Sequence, residues 1–323
     1  MIATRPILQV KDLVVEYATA GTPVRAVDRV SLDVAPGEFL GIVGESGCGK
    51  STLLFAIARL LSPPASIVSG EVRFQGNDMV TLDAEELRHV RWRQVSVVMQ
   101  SAMNALNPVL TVGDQLRDAM EAHEETNRRR IRERSEEVMR LVGIDPIHLK
   151  SYPHQLSGGM RQRAMIAMAL VFTPELVIMD EPTSALDVVA QRSLMLQIKE
   201  LQRKIGFAAI FVTHDMSLVS NFSDRLAIMY AGQVMELGET RKIFADPKHP
   251  YSVGLLASFP SIHGPKVPLK GIPGAPPDLA HPPGGCPFHP RCPRVMPHCR
   301  TVEPPAYVRD GTLIRCHLFA DGA

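Results

Sequence analysis

The sequence predicts an α/β fold, a sheet of short buried strands joined by helical crossovers. Three observations predict it. Several runs of four or five residues are wholly apolar, as strands covered on both faces are. Stretches with room for helices separate them, the spacing of a sheet with crossovers. One of the runs feeds directly into a glycine-rich loop and then an apolar helical segment.

Residues 7–16 (ILQVKDLVVE) and 27–34 (VDRVSLDV) alternate in part like half-buried strands, and Pro36-Gly37 marks a turn after them. Residues 39–43 (FLGIV) form the first buried-strand run. It leads through GESGCGKST to residues 53–61, which are long and apolar enough for a helix. Residues 95–99, 176–179 and 209–212 are three further buried-strand candidates. Between them, residues 101–160 read as helical and polar, and residues 161–172 as a second apolar helix. The run EETNRRRIRERSEEV invites a nucleic-acid reading, but its arginines are interleaved with acids at helical spacing. Glu124–Arg128, Glu125–Arg129, Arg129–Glu133 and Arg132–Glu136 are the expected pairs. Each would stabilise a solvated helix by roughly 0.2–0.5 kcal/mol. No repeat of solenoid period is visible.

Composition narrows the function classes. The 323 residues suit one large domain with an appendage. With 45% hydrophobic residues, 21% charged residues and a net charge of +1, the chain is no candidate for intrinsic disorder. Nor does it carry the excess of positive charge that a dedicated nucleic-acid binder uses. The longest apolar runs, such as residues 164–172, reach about half of the ~20 residues needed to cross a bilayer. Arg5, Pro6, Lys11 and Asp12 break the N-terminal stretch, which therefore lacks a signal-peptide core. A soluble chain that stays where it is made is the expectation. Residues 246–305 hold 16 of the 26 prolines, and four of the five cysteines lie between 286 and 316. In a cytosolic protein such a cluster reads first as a metal site.

Residues 44–51 (Gly44, Glu45, Ser46, Gly47, Cys48, Gly49, Lys50, Ser51) fit G-x-x-x-x-G-K-[ST]. Glycines let backbone N–H groups curl around phosphate oxygens, and the helix that follows offers its positive end. Lys50 can reach β- and γ-phosphates, and the Ser51 hydroxyl can reach Mg²⁺. Cys48 fills a variable position and reads as a spectator thiol. Residues 176–181 (LVIMDE) end an apolar strand in two acids. Asp180 suits a Mg²⁺ site, and Glu181 suits the base that activates an attacking water. A helix cap is the plainer alternative for such a pair. Residues 156–160 (LSGGM) open the second helix as another Ser/Gly-rich anion site. Two phosphate-binding helix starts in one chain imply a nucleotide sandwiched between two chains.

In this order the segments resemble the ATP-binding subunits of ABC transporters throughout residues 1–240. The resemblance is carried by GESGCGKS, Gln100 after a strand, LSGGM, LVIMDE, residues 184–187 (SALD) and His214 after IFVT. The usual signature ends in Gln, whereas Met160 stands here; Ser157, Gly158 and Gly159 still supply the hydroxyl and backbone contacts. The resemblance implies a P-loop NTPase (RecA-like) core with an antiparallel β subdomain and a helical subdomain over about 96–160. It implies that residues 44–51 and Thr52 bind ATP, with Tyr17 stacked on the adenine; a packed strand-end tyrosine is the alternative. Gln100 would touch Mg²⁺ and the attacking water, unless it is a plain surface amide. His214 would contact the γ-phosphate, unless it is structural. Asp187 would cross a dimer interface, unless it only caps a helix. Ser51, Gln100 and Asp180 would hold Mg²⁺.

The remainder, residues 241–323, resembles the extension of dipeptide/oligopeptide importer ATPases. HPYSVGLLAS, a Pro/Gly linker, CPFHPRCP and a final Cys-His carry that likeness. Cys286, Cys292, Cys299 and Cys316 lack the short C-x2-C knuckles of zinc ribbons, and prolines follow Cys286 and Cys292 as they often follow iron–sulfur ligands. Spacing alone favours iron–sulfur over zinc only slightly. The resemblance implies a [4Fe–4S] cluster, with His289, His298 and His317 as bystanders or zinc ligands. Buried thiols are the third reading. The tail is expected to serve stability and docking rather than chemistry.

The implied function is ATP hydrolysis driving import of peptides or a related small solute. The implied partners are a second ATPase subunit, two transmembrane permease subunits and an extracytoplasmic solute-binding protein, with no nucleic acid. The implied location is peripheral, at the cytoplasmic face of the membrane. A soluble ABC ATPase of DNA repair or translation would carry two cassettes or a coiled-coil insertion. A non-hydrolysing subunit would lose Lys50, Glu181 or the signature. The solute stays unnamed, because this chain does not touch it.

Overall fold

The computed structural model describes residues 5–100, 105–184, 186–259 and 271–320. Residues 101–104 of the expected helical stretch, Ala185 within residues 184–187, and residues 260–270 of the proline-rich segment lie outside the described residues. The chain divides into two compact units, each assembled from separated stretches. One comprises residues 8–34, 39–80 and 212–323; the other comprises residues 1–7, 35–38 and 81–211.

In the first unit, β1 (Leu8–Tyr17), β2 (Val24–Val34), β4 (Ala65–Phe74) and β5 (Asn77–Asp78) form an antiparallel sheet in the order β2-β1-β4-β5. Its register pairs Val10 with Leu32 and with Val72, so apolar positions of three strands share one face. The second sheet of this unit starts from β3 (Phe39–Val43), every residue of which is buried. β3 runs parallel to β9 (Arg225–Tyr230), with Ile42 opposite Ala227. β9 pairs antiparallel with β10 (Gln233–Glu239), β10 with β12 (Thr312–Ile314), and β12 with β11 (Tyr307–Arg309). Its helices are α1 (Lys50–Ile57), α7 (Met216–Phe222), α8 (Thr240–Ala245) and α9 (Pro250–Ala257).

The other unit holds β6 (Val95–Val98), β7 (Leu176–Asp180) and β8 (Ala208–Val212) in the order β8-β7-β6. β6 and β7 are parallel, with Val97 opposite Ile178. β7 and β8 are buried along their whole length, which explains sequences that are apolar throughout but for Asp180 at the end of β7. Helices α2 (Ala84–Val90), α3 (Val112–Glu121), α4 (Arg128–Leu141), α5 (Gly158–Ala169) and α6 (Val188–Ile205) complete it. Most apolar strand runs thus fall where the sequence puts them. The glycine-led helices differ: α1 begins at Lys50 and α5 at Gly158, each three residues ahead of its apolar run.

The polar helix is a partial correction. Asn127 caps α4 by accepting the N–H groups of Arg129 and Arg130, so Glu124 and Glu125 lie ahead of the helix. Arg129–Glu133 and Arg132–Glu136 form as expected, at 2.7 and 3.0 Å. Glu124 instead pairs with Arg88 at 3.0 Å, and Glu125 lies 3.9 Å from Arg130.

Candidate functional site

The glycine loop runs from β3 to α1, and its backbone explains its glycines. Gly49 caps α1 at φ 101°, and a Cβ there would run into the Ala26 carbonyl. Gly44, at φ 153°, would likewise press a Cβ onto the Met229 carbonyl. Lys50 folds back over the loop, its Nζ donating to the carbonyls of Gly44 (2.8 Å) and Glu45 (2.9 Å). Ser46 and Gly47 are exposed and Ser51 is half-buried, while Thr52 is buried. The Thr52 hydroxyl shares a 3.0 Å hydrogen bond with Tyr17 Oη, so the tyrosine proposed to meet adenine is tied to the loop. Burial pushes the Cys48 thiol up, against the pull of the Lys50 ammonium. That direction suits a spectator and not a nucleophile. In the same unit His214 lies exposed between β8 and α7, just before Asp215, which caps α7 by accepting the Ser217 N–H at 2.8 Å.

Glu45 stands among the residues expected to touch the nucleotide, and its carboxylate is held by the tail. Arg291 Nη1 lies 2.7 Å from Glu45 Oε2, and Nη2 lies 3.0 Å from Oε1. Tyr251 Oη also accepts the Glu45 N–H at 3.0 Å. Sequence reasoning missed both partners. Arg291 is 246 positions away from Glu45, and no local pattern marks it.

The second unit carries the paired acids. Asp180 closes β7 at 2% exposure. Glu181 follows in a left-handed conformation, φ 47°, which a non-glycine residue seldom adopts and which clusters at functional sites. Gln100 Nε2 donates to Glu181 Oε2 at 2.8 Å, so these two residues come together as the sequence motifs suggest. Ser157 caps α5, its hydroxyl accepting the Met160 N–H at 3.3 Å, and Gly158 and Gly159 form the first turn. Gln162 on α5 donates to the Pro182 carbonyl, tying this helix to the turn after Glu181. Asp187 caps α6 by accepting the Ala190 N–H at 2.9 Å, which is its plainer sequence reading.

In the tail, Cys286, Cys292, Cys299 and Cys316 are free thiols that line one small pocket with Phe288, Met296 and Leu318. Burial pushes Cys286 up to about 12 and Cys316 up to about 11. Backbone N–H groups of Phe288, Arg294 and Leu318 bond Cys286, Cys292 and Cys316. The expected preformed metal site is not found: among the described residues no group of three or more His, Cys, Asp or Glu is placed to hold a metal ion. Two of the three candidate histidines have other engagements. His317 Nε2 is 2.9 Å from the Val302 carbonyl, and His289 Nδ1 is 3.0 Å from that of Cys286. Among the described residues no helix is long and apolar enough to cross a membrane.

Comparison with known proteins places these features. Residues 27–184 match the family model "ABC transporter", residues 235–299 match "Oligopeptide/dipeptide transporter, C-terminal region", and residues 150–220 also match an AAA domain. The chain is 45% identical to the dipeptide transport ATP-binding protein DppD of Bacillus subtilis (strain 168), over 97% of this chain and 94% of that protein. It is 43% identical to the oligopeptide transport ATP-binding protein OppD of the same organism, over 95% of this chain and 87% of that protein. Among solved structures, the ATP-binding cassette MJ0796, a post-hydrolysis dimer bound to ADP and Pi, superposes with a TM-score of 0.65. The two are 29% identical, over 72% of this chain and 99% of that one. A glycine loop closed by its lysine, a signature helix capped by serine and a near-full-length match therefore agree, and the chain belongs to the ABC transporter family, among its dipeptide and oligopeptide transport ATP-binding proteins.

Proposed function

We propose that this chain hydrolyses ATP to power import of peptides or a related small solute, as a subunit of an ABC importer. The observation that carries the reading is the lysine-closed loop at the start of α1, within a chain matching dipeptide transport ATP-binding proteins almost end to end. Backbone amides of residues 47–52 and the Lys50 ammonium hold the β- and γ-phosphates, and Tyr17 stacks on the base. Ser51, Asp180 and Gln100 are the proposed Mg²⁺ ligands. Hydroxyl, carboxylate and amide oxygens are the hard donors this ion takes. Held by these residues, Mg²⁺ would supply positive charge to offset that of the phosphates.

Glu181 takes the proton of the attacking water, and Gln100, bonded to Glu181, helps orient that water. His214 contacts the γ-phosphate. Ser157, Gly158, Gly159 and Asp187 serve the nucleotide of a second ATPase subunit. In this reading two permease subunits and an extracytoplasmic solute-binding protein complete the machine, with the chain peripheral at the cytoplasmic face. A bound solute would be selected by those partners.

For the tail we infer a [4Fe–4S] cluster on Cys286, Cys292, Cys299 and Cys316, with Zn²⁺ as the alternative. Support comes from the donor set, four free thiols around one pocket, and from amide N–H groups bonded to three of them. Such bonds favour the thiolate over the thiol.

The function is tested with Lys50→Ala. The ammonium acts on phosphate in both ground and transition states, so ATP affinity and turnover should fall together. Uptake of a labelled dipeptide into vesicles bearing the assembled transporter should stop as well. Unchanged affinity and rate in the variant would refute the phosphate-loop reading.

A further inference from the structure

We propose that Arg291 in the C-terminal extension is a positioning residue of the phosphate loop, neutralising and fixing Glu45 so that the loop can accept a triphosphate. The proposal rests on the reading of residues 44–51 as the ATP phosphate site.

Glu45 places a carboxylate in a loop that has to receive a polyanion. At a half-buried position such a charge is poorly screened by salt, and left unpaired it would oppose phosphate entry. Arg291 meets it with both terminal nitrogens, at 2.7 and 3.0 Å, in the parallel fork that guanidinium and carboxylate favour. The Arg291 side chain is only 7% exposed. Its remaining donors are also used. Nε donates to the Pro273 carbonyl at 2.8 Å, Nη2 to the Ile272 carbonyl at 3.3 Å, and Nη1 to Tyr230 Oη at 3.3 Å. The guanidinium also lies 5.8 Å from the Tyr230 ring centroid. An arginine with all its N–H positions occupied cannot swing away without breaking several bonds at once.

Glu45 is fixed equally on its own side. Its carbonyl accepts from Lys50 Nζ at 2.9 Å and from the Cys48 N–H at 3.3 Å, and its N–H goes to Tyr251 Oη. The residue therefore joins the loop lysine to two residues of the extension. Arg291 stands directly before Cys292, in the turn His289–Arg291 that follows Cys286. The arrangement is more than a tail clamp, because the tail's buried cation lands on the one carboxylate of the phosphate loop.

The test is ATP binding and steady-state hydrolysis by the full chain in its assembled transporter. The variants are Arg291→Met, Arg291→Lys, Glu45→Gln and the double variant Glu45→Gln/Arg291→Met. Arg291→Met should raise Kd and KM for ATP by on the order of tenfold while kcat changes much less, since the interaction is made before the chemical step. Arg291→Lys should fall between, keeping the charge and losing the fork. The double variant should bring KM back most of the way, because the charge needing neutralisation is gone. A clamp that only holds the tail predicts no such rescue. An unchanged KM in Arg291→Met, or a double variant no better than Arg291→Met, would overturn the proposal. If Arg291→Met fails to fold, the comparison of Glu45→Gln with the double variant decides: under the proposal, Arg291 is dispensable for KM once Glu45 is neutral. Lys50→Ala run alongside separates the two levels. If that variant is defective while the Arg291 variants are not, only the Arg291 assignment falls; if it binds ATP like the parent, the phosphate-site reading falls and takes this proposal with it.

Discussion

Glu181 sits where a small change has the sharpest expected effect. Its backbone holds a left-handed conformation, and its carboxylate accepts a hydrogen bond from Gln100. Glu181→Gln keeps the shape and removes the base. Nucleotide should still bind and accumulate in a closed complex, while turnover falls on the order of a hundredfold or more. Trapped-nucleotide stoichiometry and phosphate release check this together, and near-normal hydrolysis would exclude Glu181 as the base. His249 offers a second expectation. It is fully buried, its Nδ1 accepts the Tyr251 N–H at 2.9 Å, and burial lowers its pKa to about 3 from the usual 6.5. The unfolded chain takes up a proton near pH 6.5 that the folded chain refuses. Stability present above that pH is therefore lost progressively as pH falls towards 3. In His249→Asn, which keeps a capping acceptor, melting temperature should vary less with pH over that window. An equal slope in both proteins would show that His249 does not set it.

At the scale of elements, the strand–loop–helix unit was legible because everything that builds it is local. Residues 39–43 are apolar on every side, Gly44 and Gly49 mark backbone that side chains cannot share, and α1 follows at once. The same holds for β7 and its two acids. Elements whose identity depends on a distant partner were harder to see. β4 is half-exposed and polar over much of its length, and it becomes a strand by pairing with β1. The hairpins β9–β10 and β11–β12 likewise owe their place in the sheet to distant partners, β9 to β3 and β12 to β10. Helix α4 shows the opposite error: the charge pattern was right, but one asparagine cap moved its start past Glu124 and Glu125. At α5 the cap itself gives a prediction. Ser157→Ala removes the hydroxyl that accepts the Met160 N–H, a loss costing about 1 kcal/mol at a typical cap. Stability should drop by that modest amount, while ATPase activity drops far more if the hydroxyl also serves a partner's nucleotide. Mixing Ser157→Ala chains with Lys50→Ala chains should give activity unlike that of either alone. Full activity of Ser157→Ala would leave the serine a cap only.

For the whole molecule, the tail expected to serve stability and docking is found against the phosphate loop. Residues 271–320 belong to the same compact unit as the phosphate loop, and Arg291 and Tyr251 touch that loop directly. The sequence could show that the tail was rich in Pro and Cys; it could not show where its turns would land. The metal question is decided by colour and composition. Purified without oxygen, the chain should be brown, with broad absorption near ~400 nm from thiolate-bound iron. Cys292→Ser or Cys299→Ser should bleach it. A colourless preparation holding stoichiometric zinc would instead establish the zinc alternative. Because Cys292 adjoins Arg291, these variants should also weaken ATP binding to some degree, and unchanged affinity would show that the turn holds without its cysteine.

The interleaved composition of the two units has a consequence for biosynthesis. β3 emerges from the ribosome early, yet its parallel partner β9 lies some 180 residues downstream, and β10 waits for β12 near the C-terminus. Neither unit is a contiguous stretch that can close while the rest is being made. Through most of translation the nascent chain therefore carries apolar strands without their neighbours, the condition in which chains aggregate or recruit chaperones. A chain stalled before residue 291 would hold a phosphate loop whose Glu45 lacks its arginine partner. Competence to bind nucleotide would then be acquired late in synthesis, as the tail leaves the exit tunnel.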